Sequence, residues 1–346
     1  MQTSVHNFTL NLSWGLIHLI SQIDRFDASW ASIEKREGQS LKQLKSIATV
    51  RSVGASTRIE GSQLSDTQVE LLLKEIDITK LEDRDSQEVV GYFNALDFIS
   101  ENAADIEISQ NNLKYLHQIL LKHSRKDDWH RGSYKQQSNA VEARMPDGSR
   151  QIIFQTTDPG LPTLNAMRGL LDWYHSDNQT HPLVKCALFC YEFVTIHPFQ
   201  DGNGRLSRLL ATLLLLRHGY KWIEYVSLEH EIESRKSEYY RVLRSCQVNR
   251  PGENVTEWIS FFFDALGNVQ QQLMQKLQVQ GEAASLSPRD KAIIMFVSNN
   301  PGCKSGEISV KLRLPAPTVK RALAELVHKN LLEKHGIGPG TNYTAV

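Results

Sequence analysis

The sequence predicts a mainly α-helical fold carrying a single β-hairpin and a small, separate C-terminal module. Three observations predict it. Apolar residues recur at three- and four-residue steps through most of the chain, as in Leu206, Leu209, Leu210, Leu213 and Leu214. Strand-like alternation with β-branched and aromatic members first appears in residues 131–162, around Asp147-Gly148. From Leu286 onward the charge balance and the order of elements change.

Composition sets limits without naming an activity. A chain of 346 residues with 40% hydrophobic content can form one substantial domain and one or two small ones around a real core. A formal net charge of +0 gives no overall attraction to nucleic acid or to acidic surfaces. Of the four cysteines, Cys186 and Cys190 share an apolar helical face with no matching His or Cys pair, which reads as core and not as a metal site. With no disulfide framework, no signal-peptide pattern and no bilayer-length apolar run, a cytoplasmic location away from membranes is expected.

Residues 8–36 read as an extended start and then an amphipathic helix. A second helix follows from Ser40 to Ile59, with Leu41, Leu44, Ile47 and Val50 at three-residue steps, and closes on Glu60-Gly61. Ser65-Asp66-Thr67-Gln68 is a capping box for the next helix. Charged residues from Lys80 to Arg84 mark a turn. Helices around Val89–Phe98 and Leu113–Leu120 come next. Asp147-Gly148, set between Val141–Met145 and Gln151–Phe154, signals a hairpin that Pro159 and Pro162 close off. Two helices, Leu164–Tyr174 and Leu183–Val194, lead into Ile196-His197. Beyond the leucine-rich helix, Ser227–Leu243 carries Tyr239-Tyr240 with Leu243 three residues later, and Val255–Leu266 reads as a closing core helix. A glutamine-rich stretch from Gln270 to Gln280 trails into a linker, Gly281–Pro288.

The densest chemistry lies in residues 197–208, His-Pro-Phe-Gln-Asp-Gly-Asn-Gly-Arg-Leu-Ser-Arg. Gly202, Asn203 and Gly204 tolerate left-handed backbone and stand just before an apolar helix, so they form a turn that delivers free amides to an anion. Arg205 and Arg208, three apart, can grip separate phosphates from the first helical turn. Asp201 can hold a magnesium ion shared with those phosphates. His197, with its near-neutral pKa, can take the proton of an attacking hydroxyl.

This segment resembles the signature of the Fic family, His-x-Phe-x-Asp/Glu-Gly-Asn-Gly-Arg-x-x-Arg, at His197, Phe199, Asp201, Gly202, Asn203, Gly204, Arg205 and Arg208. The resemblance implies a protein adenylyltransferase that moves AMP from ATP to a Ser, Thr or Tyr hydroxyl of a protein, its own chain included. It implies His197 as general base, Asp201 as Mg2+ ligand, Asn203 and the glycine amides on the α- and β-phosphates, and Arg205 and Arg208 on the β- and γ-phosphates. The ATP-binding run is then Gly202, Asn203, Gly204, Arg205, Leu206, Ser207 and Arg208. Tyr239-Tyr240 resembles a family segment that encloses adenine, which nominates Tyr240. Gly204 stands where a kinase-like branch has lysine, which favours AMP transfer.

Ser56-Thr57-Arg58-Ile59-Glu60-Gly61 resembles the family's inhibitory motif Ser/Thr-x-x-x-Glu-Gly/Asn. Ser56, Glu60 and Gly61 are therefore expected to restrain the enzyme from a helix spanning about 41–60, with Glu60 gripping Arg208 in a bidentate pair that keeps ATP from its productive pose. The hairpin, about 141–154, corresponds to the family's flap, on which an unknown target protein would lie as an added strand.

Between Leu286 and Val346, nine Lys or Arg face four acids. The helical order there, with Gly336, Gly338 and Gly340 near the end, resembles a winged helix-turn-helix with Lys320 and Arg321 on its recognition helix. The expected organisation is an N-terminal helical region 1–105, a Fic core 106–268, a helix end and linker 269–287, and the winged-helix-like domain 288–346, which would contact DNA or a second copy in a homodimer. The competing reading is a DNA-binding regulator whose Fic core serves sensing, self-modification or removal of AMP.

Overall fold

The structure, a computed structural model, describes residues 8–76, 81–144, 150–284, 287–329, 331–336 and 338–345. It divides into two compact units, residues 1–270 and 271–346.

The first unit is organised on one long helix, α1 (Trp14–Ile59, 46 residues), whose N-terminus is capped by the Ser13 hydroxyl. Two helices were expected here. Gly38 is the one weak point between them, and a helical glycine costs only about 1 kcal/mol. Ile33, Leu41 and Leu44 are buried on either side of it, each worth roughly 1.5–3 kcal/mol, so the helix continues. The extended start survives as Thr9, which bridges to Asn254. The last turns of α1 run through the interior: Val53, Ala55, Ser56 and Thr57 are fully enclosed.

The helix α2 (Asp66–Lys74) begins on the expected capping box of Ser65 and Gln68, and α3 (Arg84–Asn102) on Asp83. The turn expected from Lys80 lies partly outside the described residues. Then α4 (Gln110–Leu120) packs so closely on α3 that the Gly91 Cα faces the Leu120 carbonyl. The strands β1 (Ala140–Arg144) and β2 (Arg150–Gln155) pair antiparallel with a bulge between Val141 and Glu142. The Asp147-Gly148 turn between them lies outside the described residues. Pro162 starts α5 (Leu161–Ser176), and α6 (Pro182–Ile196) follows, buried almost throughout. Its partner α7 (Asn203–Arg217) is nearly as enclosed. Cys186 and Cys190 lie in this core as free thiols, as expected.

The stretch from Ser227 forms α8 (Leu228–Ser234) and α9 (Lys236–Gln247), separated at Arg235. The closing helix α10 spans Thr256–Ala284. The glutamine-rich stretch, expected as a helix end, is helical as far as Ala284, since glutamine is a good helix former and Leu273 and Leu277 are buried. The N-terminal helical region and the core share one compact unit, in which α1 and α3 pack on α7.

The second unit holds α11 (Pro288–Asn299), α12 (Ser305–Leu312), α13 (Ala316–His328), and β3 (Leu332–His335) paired antiparallel with β4 (Asn342–Ala345). Its own core includes Ile293, Ile308, Val319, Leu323, Leu326 and Tyr343. Among the described residues, no helix is long and apolar enough to cross a membrane.

Candidate functional site

The site forms where α6 gives way to α7. His197 ends α6 in the left-handed conformation (φ 55°), a strained choice for a side chain with a Cβ and one that tends to mark function. Its Nδ1 lies 3.2 Å from the Val194 carbonyl. A carbonyl only accepts, so Nδ1 carries the proton and Nε2 keeps its lone pair. Burial pushes the imidazole down to about 4 against the pull of the Val194 bond, and the Lys135 ammonium adds to the effect. His197 is thus a neutral base at physiological pH.

The loop after it is closed by Asn203, whose Oδ1 accepts from Phe199 N (2.8 Å) and whose Nδ2 donates to Phe199 O (2.7 Å). The Asn203 side chain, expected with the glycine amides to hold phosphates, shapes the loop through these two bonds while Asn203 also lines the cavity. Phe199 stacks on His117 with centroids 3.8 Å apart. His117 Nδ1 accepts from Gly132 N (2.9 Å), so Nε2 carries the proton and donates to Asp201 O (3.0 Å). Burial pushes this second imidazole down to about 3.

Gly202 takes a left-handed φ of 80° at the start of α7, and no side chain caps that helix. The first amides of α7 therefore present an uncapped helix N-terminus to the cavity. Beside them, Asp201 Oδ1 accepts from Gly202 N (2.5 Å) and Arg205 Nη2 (3.2 Å), and Oδ2 from Lys126 Nζ (3.0 Å). Burial opposes ionisation, but Arg205 and Lys126 hold this carboxyl well below the usual carboxylate range. Arg205, 1% exposed, also lies 3.3 Å from Glu88. Its Nε, like Nη1 of Arg208, is a buried donor without a hydrogen-bond partner.

Arg208 is held from α1 at three points. Nε donates to Ser56 Oγ (2.8 Å), and Nη2 to Ser56 O (3.0 Å) and Glu60 Oε1 (2.7 Å). The expected bidentate pair is thus a single carboxylate contact reinforced by the serine one helical turn away. Burial disfavours the Glu60 carboxylate, yet Arg208 and Arg205 hold its pKa below the ordinary value. Gly61, with φ 109°, provides the turn that stops α1 at this point.

These groups surround a cavity of about 430 Å³ lined by Glu60, Ala140, His197, Asp201 to Arg205, Arg208, Lys236, Tyr239, Tyr240, Arg244 and Gln247, among others. The structure brings together nearly every nominated residue. Leu206 and Ser207 are the exceptions: Leu206 is in the core, and the Ser207 hydroxyl donates to Cys190 O. Helical periodicity turns them away when residues 204, 205 and 208 face the cavity. Tyr240, nominated to enclose adenine, borders the cavity next to Tyr239, which lies close to Arg208. Sequence reasoning missed Lys126, Glu88, His117, Lys135 and Lys236, whose Nζ donates to Ile59 O (2.7 Å). Each comes from a segment distant from the loop in sequence; Lys135 lies in the 131–162 tract, Lys236 in Ser227–Leu243 and His117 in the Leu113–Leu120 helix.

Residues 107–215 match the model of the Fic/DOC family. The chain carries a Fic/DOC domain. Similar curated proteins are "Protein adenylyltransferase Fic" of Drosophila virilis, 24% identical over 316 residues (86% of this chain and 60% of that protein), and of Drosophila willistoni, 26% identical over 281 residues (76% and 51%). The chain thus spans only about half to three-fifths of the length of these relatives. Among solved structures, a Fic family protein from Desulfovibrio desulfuricans superposes with a TM-score of 0.61 at 24% identity, covering 99% of this chain and 98% of that one. Fic-1 from C. elegans gives 0.57 at 20% identity over 76% of each chain. These likenesses establish a Fic fold around the His197 loop.

Proposed function

We propose that the protein transfers AMP from ATP to a hydroxyl of a target protein and that Glu60 restrains it. One observation carries this reading: a neutral imidazole and a clamped arginine stand at the two ends of one loop and line one cavity, with an uncapped helix N-terminus between them. The relatives named as adenylyltransferases support the reaction class.

In the proposed reaction the hydroxyl oxygen attacks the α-phosphorus and His197 Nε2 takes its proton. The new O–P bond forms as the bond to the β-phosphate bridge breaks, and pyrophosphate leaves. The α7 amides and the unpartnered donors of Arg205 and Arg208 meet the triphosphate charge. Asp201 fits a Mg2+ ion: it is ionised, 39% exposed and beside the phosphate cradle, and Mg2+ commonly takes one or two carboxylates plus phosphate oxygens. When bound there, the ion would neutralise developing phosphate charge. Tyr240 would border adenine, and the hairpin, whose foot at Ala140 lines the cavity, would be the flap that receives the target.

Labelled ATP and Mg2+ with native chain, Glu60→Gly and His197→Ala test the proposal. Labelling of protein should rise on losing Glu60 and vanish on losing His197. Equal labelling of all three proteins defeats it. Glu60 could also serve the reverse hydrolysis of an AMP adduct, which release of AMP from pre-labelled target would reveal.

A second reading concerns residues 271–346. Their helix-helix-helix-hairpin order resembles a winged helix, and a groove of about 1110 Å³ gathers Lys304, Lys320 and Lys334 against one acid, Glu307. We infer that this unit binds duplex DNA, with strong salt dependence. Retention of a labelled duplex at low salt, weakened by Lys320→Glu, supports it; no retention by the native chain refutes it.

A further inference from the structure

Lys135 is enclosed (1% exposed), and its ammonium is matched only by neutral oxygens. Nζ donates to Thr156 Oγ1 (2.8 Å), Asn139 Oδ1 (2.9 Å) and Ile196 O (3.3 Å). A buried ammonium without a carboxylate is costly, and burial pushes it down to about 8 in spite of the distant charge of Asp158. Such a group is retained for what it organises.

What it organises is specific. Asn139 immediately precedes β1 and Thr156 immediately follows β2, so the two feet of the hairpin converge on one ammonium. Its third acceptor, Ile196 O, belongs to the residue before His197. Two further bonds tie the same pieces together: Lys135 N donates to Pro198 O (2.9 Å) and Asn139 Nδ2 to Phe199 O (2.9 Å). The hairpin is thereby riveted to the backbone on both sides of His197.

Building on the adenylyltransferase reading, we propose that Lys135 is a positioning residue for the transfer. It fixes the hairpin that receives the target against the loop that carries the base, and its buried charge adds to the burial that disfavours imidazolium there. The charge acts on His197 against Glu60 from α1 and Asp201 from the loop, both of which favour imidazolium. Arg205 and Arg208 from α7, and Lys236 and Arg244 from α9, border the same cavity.

The two functions separate by mutation. Lys135→Met keeps the length of the side chain and removes both the charge and the three bonds. Thr156→Val removes one foot of the hairpin and leaves the charge. All variants are made in the Glu60→Gly background and read in two ways. The first is the His197 titration by NMR, assigned by loss of its signal in His197→Ala. The second is the KM for an acceptor protein, the protein's own labelled site serving where no other acceptor is known. Lys135→Met should raise the His197 midpoint by about one pH unit, as removal of a nearby like charge does, and, because the hairpin loses its three bonds to the ammonium, slow labelling at least tenfold. Thr156→Val should leave the midpoint in place and weaken acceptor use several-fold while KM for ATP stays within twofold. An unchanged His197 midpoint in a folded Lys135→Met protein overturns the electrostatic half. Unchanged acceptor KM in Thr156→Val overturns the positional half. Should Lys135→Met not fold, Lys135→Arg, which keeps the charge but misplaces the donors, must hold the midpoint and lower acceptor use, or the proposal fails. Loss of the adenylyltransferase reading itself would appear separately, as labelling that survives His197→Ala.

Discussion

A β-carbon on Gly204 would lie 2.5 Å from Oε1 of Glu60. The carboxylate that ends α1 thus fills the space a side chain at Gly204, in the first turn of α7, would take. That contact makes room for Glu60 to reach Arg208, whose Nη1 would also be 3.3 Å from the added carbon.

Gly204→Ala should therefore displace Glu60 without unfolding the protein, because the clashing atom is the end of a flexible side chain. Gly204 is in a helix and outside the left-handed region, so alanine there otherwise favours folding by about 1 kcal/mol. The expected result is a double-mutant cycle with a sign change. Gly204→Ala lowers stability in the native chain and is neutral or stabilising in Glu60→Gly, as read by thermal or urea unfolding. Equal effects in both backgrounds would show that the two residues do not compete.

Ser56→Ala removes one of the three bonds that hold Arg208. A hydrogen bond to a charged group is worth about 1.5–3 kcal/mol when buried. Restraint should be partly relieved, with labelling by ATP between that of the native chain and Glu60→Gly. Arg58→Ala should act in the same direction from outside the cavity. Arg58 ties the last turn of α1 to α8 through paired bonds to Glu233 at 2.6 and 2.9 Å. Labelling equal to native in both variants would count against the clamp.

Acid should destabilise the protein before its carboxylates are neutralised. His197 is held near 4 and His117 near 3 in the folded chain, mainly by burial, against roughly 6.5 when unfolded. Both folded values are depressed, so the stability they confer is complete above about 6.5 and is lost as pH falls toward 4 and then 3. Urea midpoints measured from pH 7 to pH 4 should fall steadily, and His117→Asn should flatten part of that slope. A flat profile would mean that these imidazoles are not held neutral.

Gly91→Ala should be the most damaging of the small changes. The added carbon would meet the Leu120 backbone carbonyl at 2.1 Å, and backbone cannot step aside as the end of a side chain can. A loss of about 3 kcal/mol or more is expected from forcing α3 and α4 apart. A thermal midpoint within about 2 °C of native would contradict the close helix approach.

Much of this site was legible because its information is local. His197, Asp201, the Gly202-Asn203-Gly204 turn and both arginines sit within one short run, and the spacing of Ser56 and Glu60 places them on one helical face. The hairpin strands were also readable from their turn and composition. The continuity of α1 was not: Gly38 looks like a boundary until burial on both sides outweighs its propensity. The full length of α10 was missed for the same reason, since a polar glutamine run hides the buried Leu273 and Leu277 beneath it.

Local patterning is enough for a helical protein with a glycine-bearing turn, a histidine before it and an acid upstream of it, because bonding within a turn or helix depends on neighbours a few residues apart. What those groups do to one another follows from packing. Packing turned Asn203 inward to build the loop, replaced a bidentate Glu60 contact with a three-point grip shared with Ser56, and set Lys126, His117 and Lys135 around the loop. Charges and hydrogen bonds act over a few ångströms of space, and residues more than a hundred positions apart in the chain become neighbours only when the core closes.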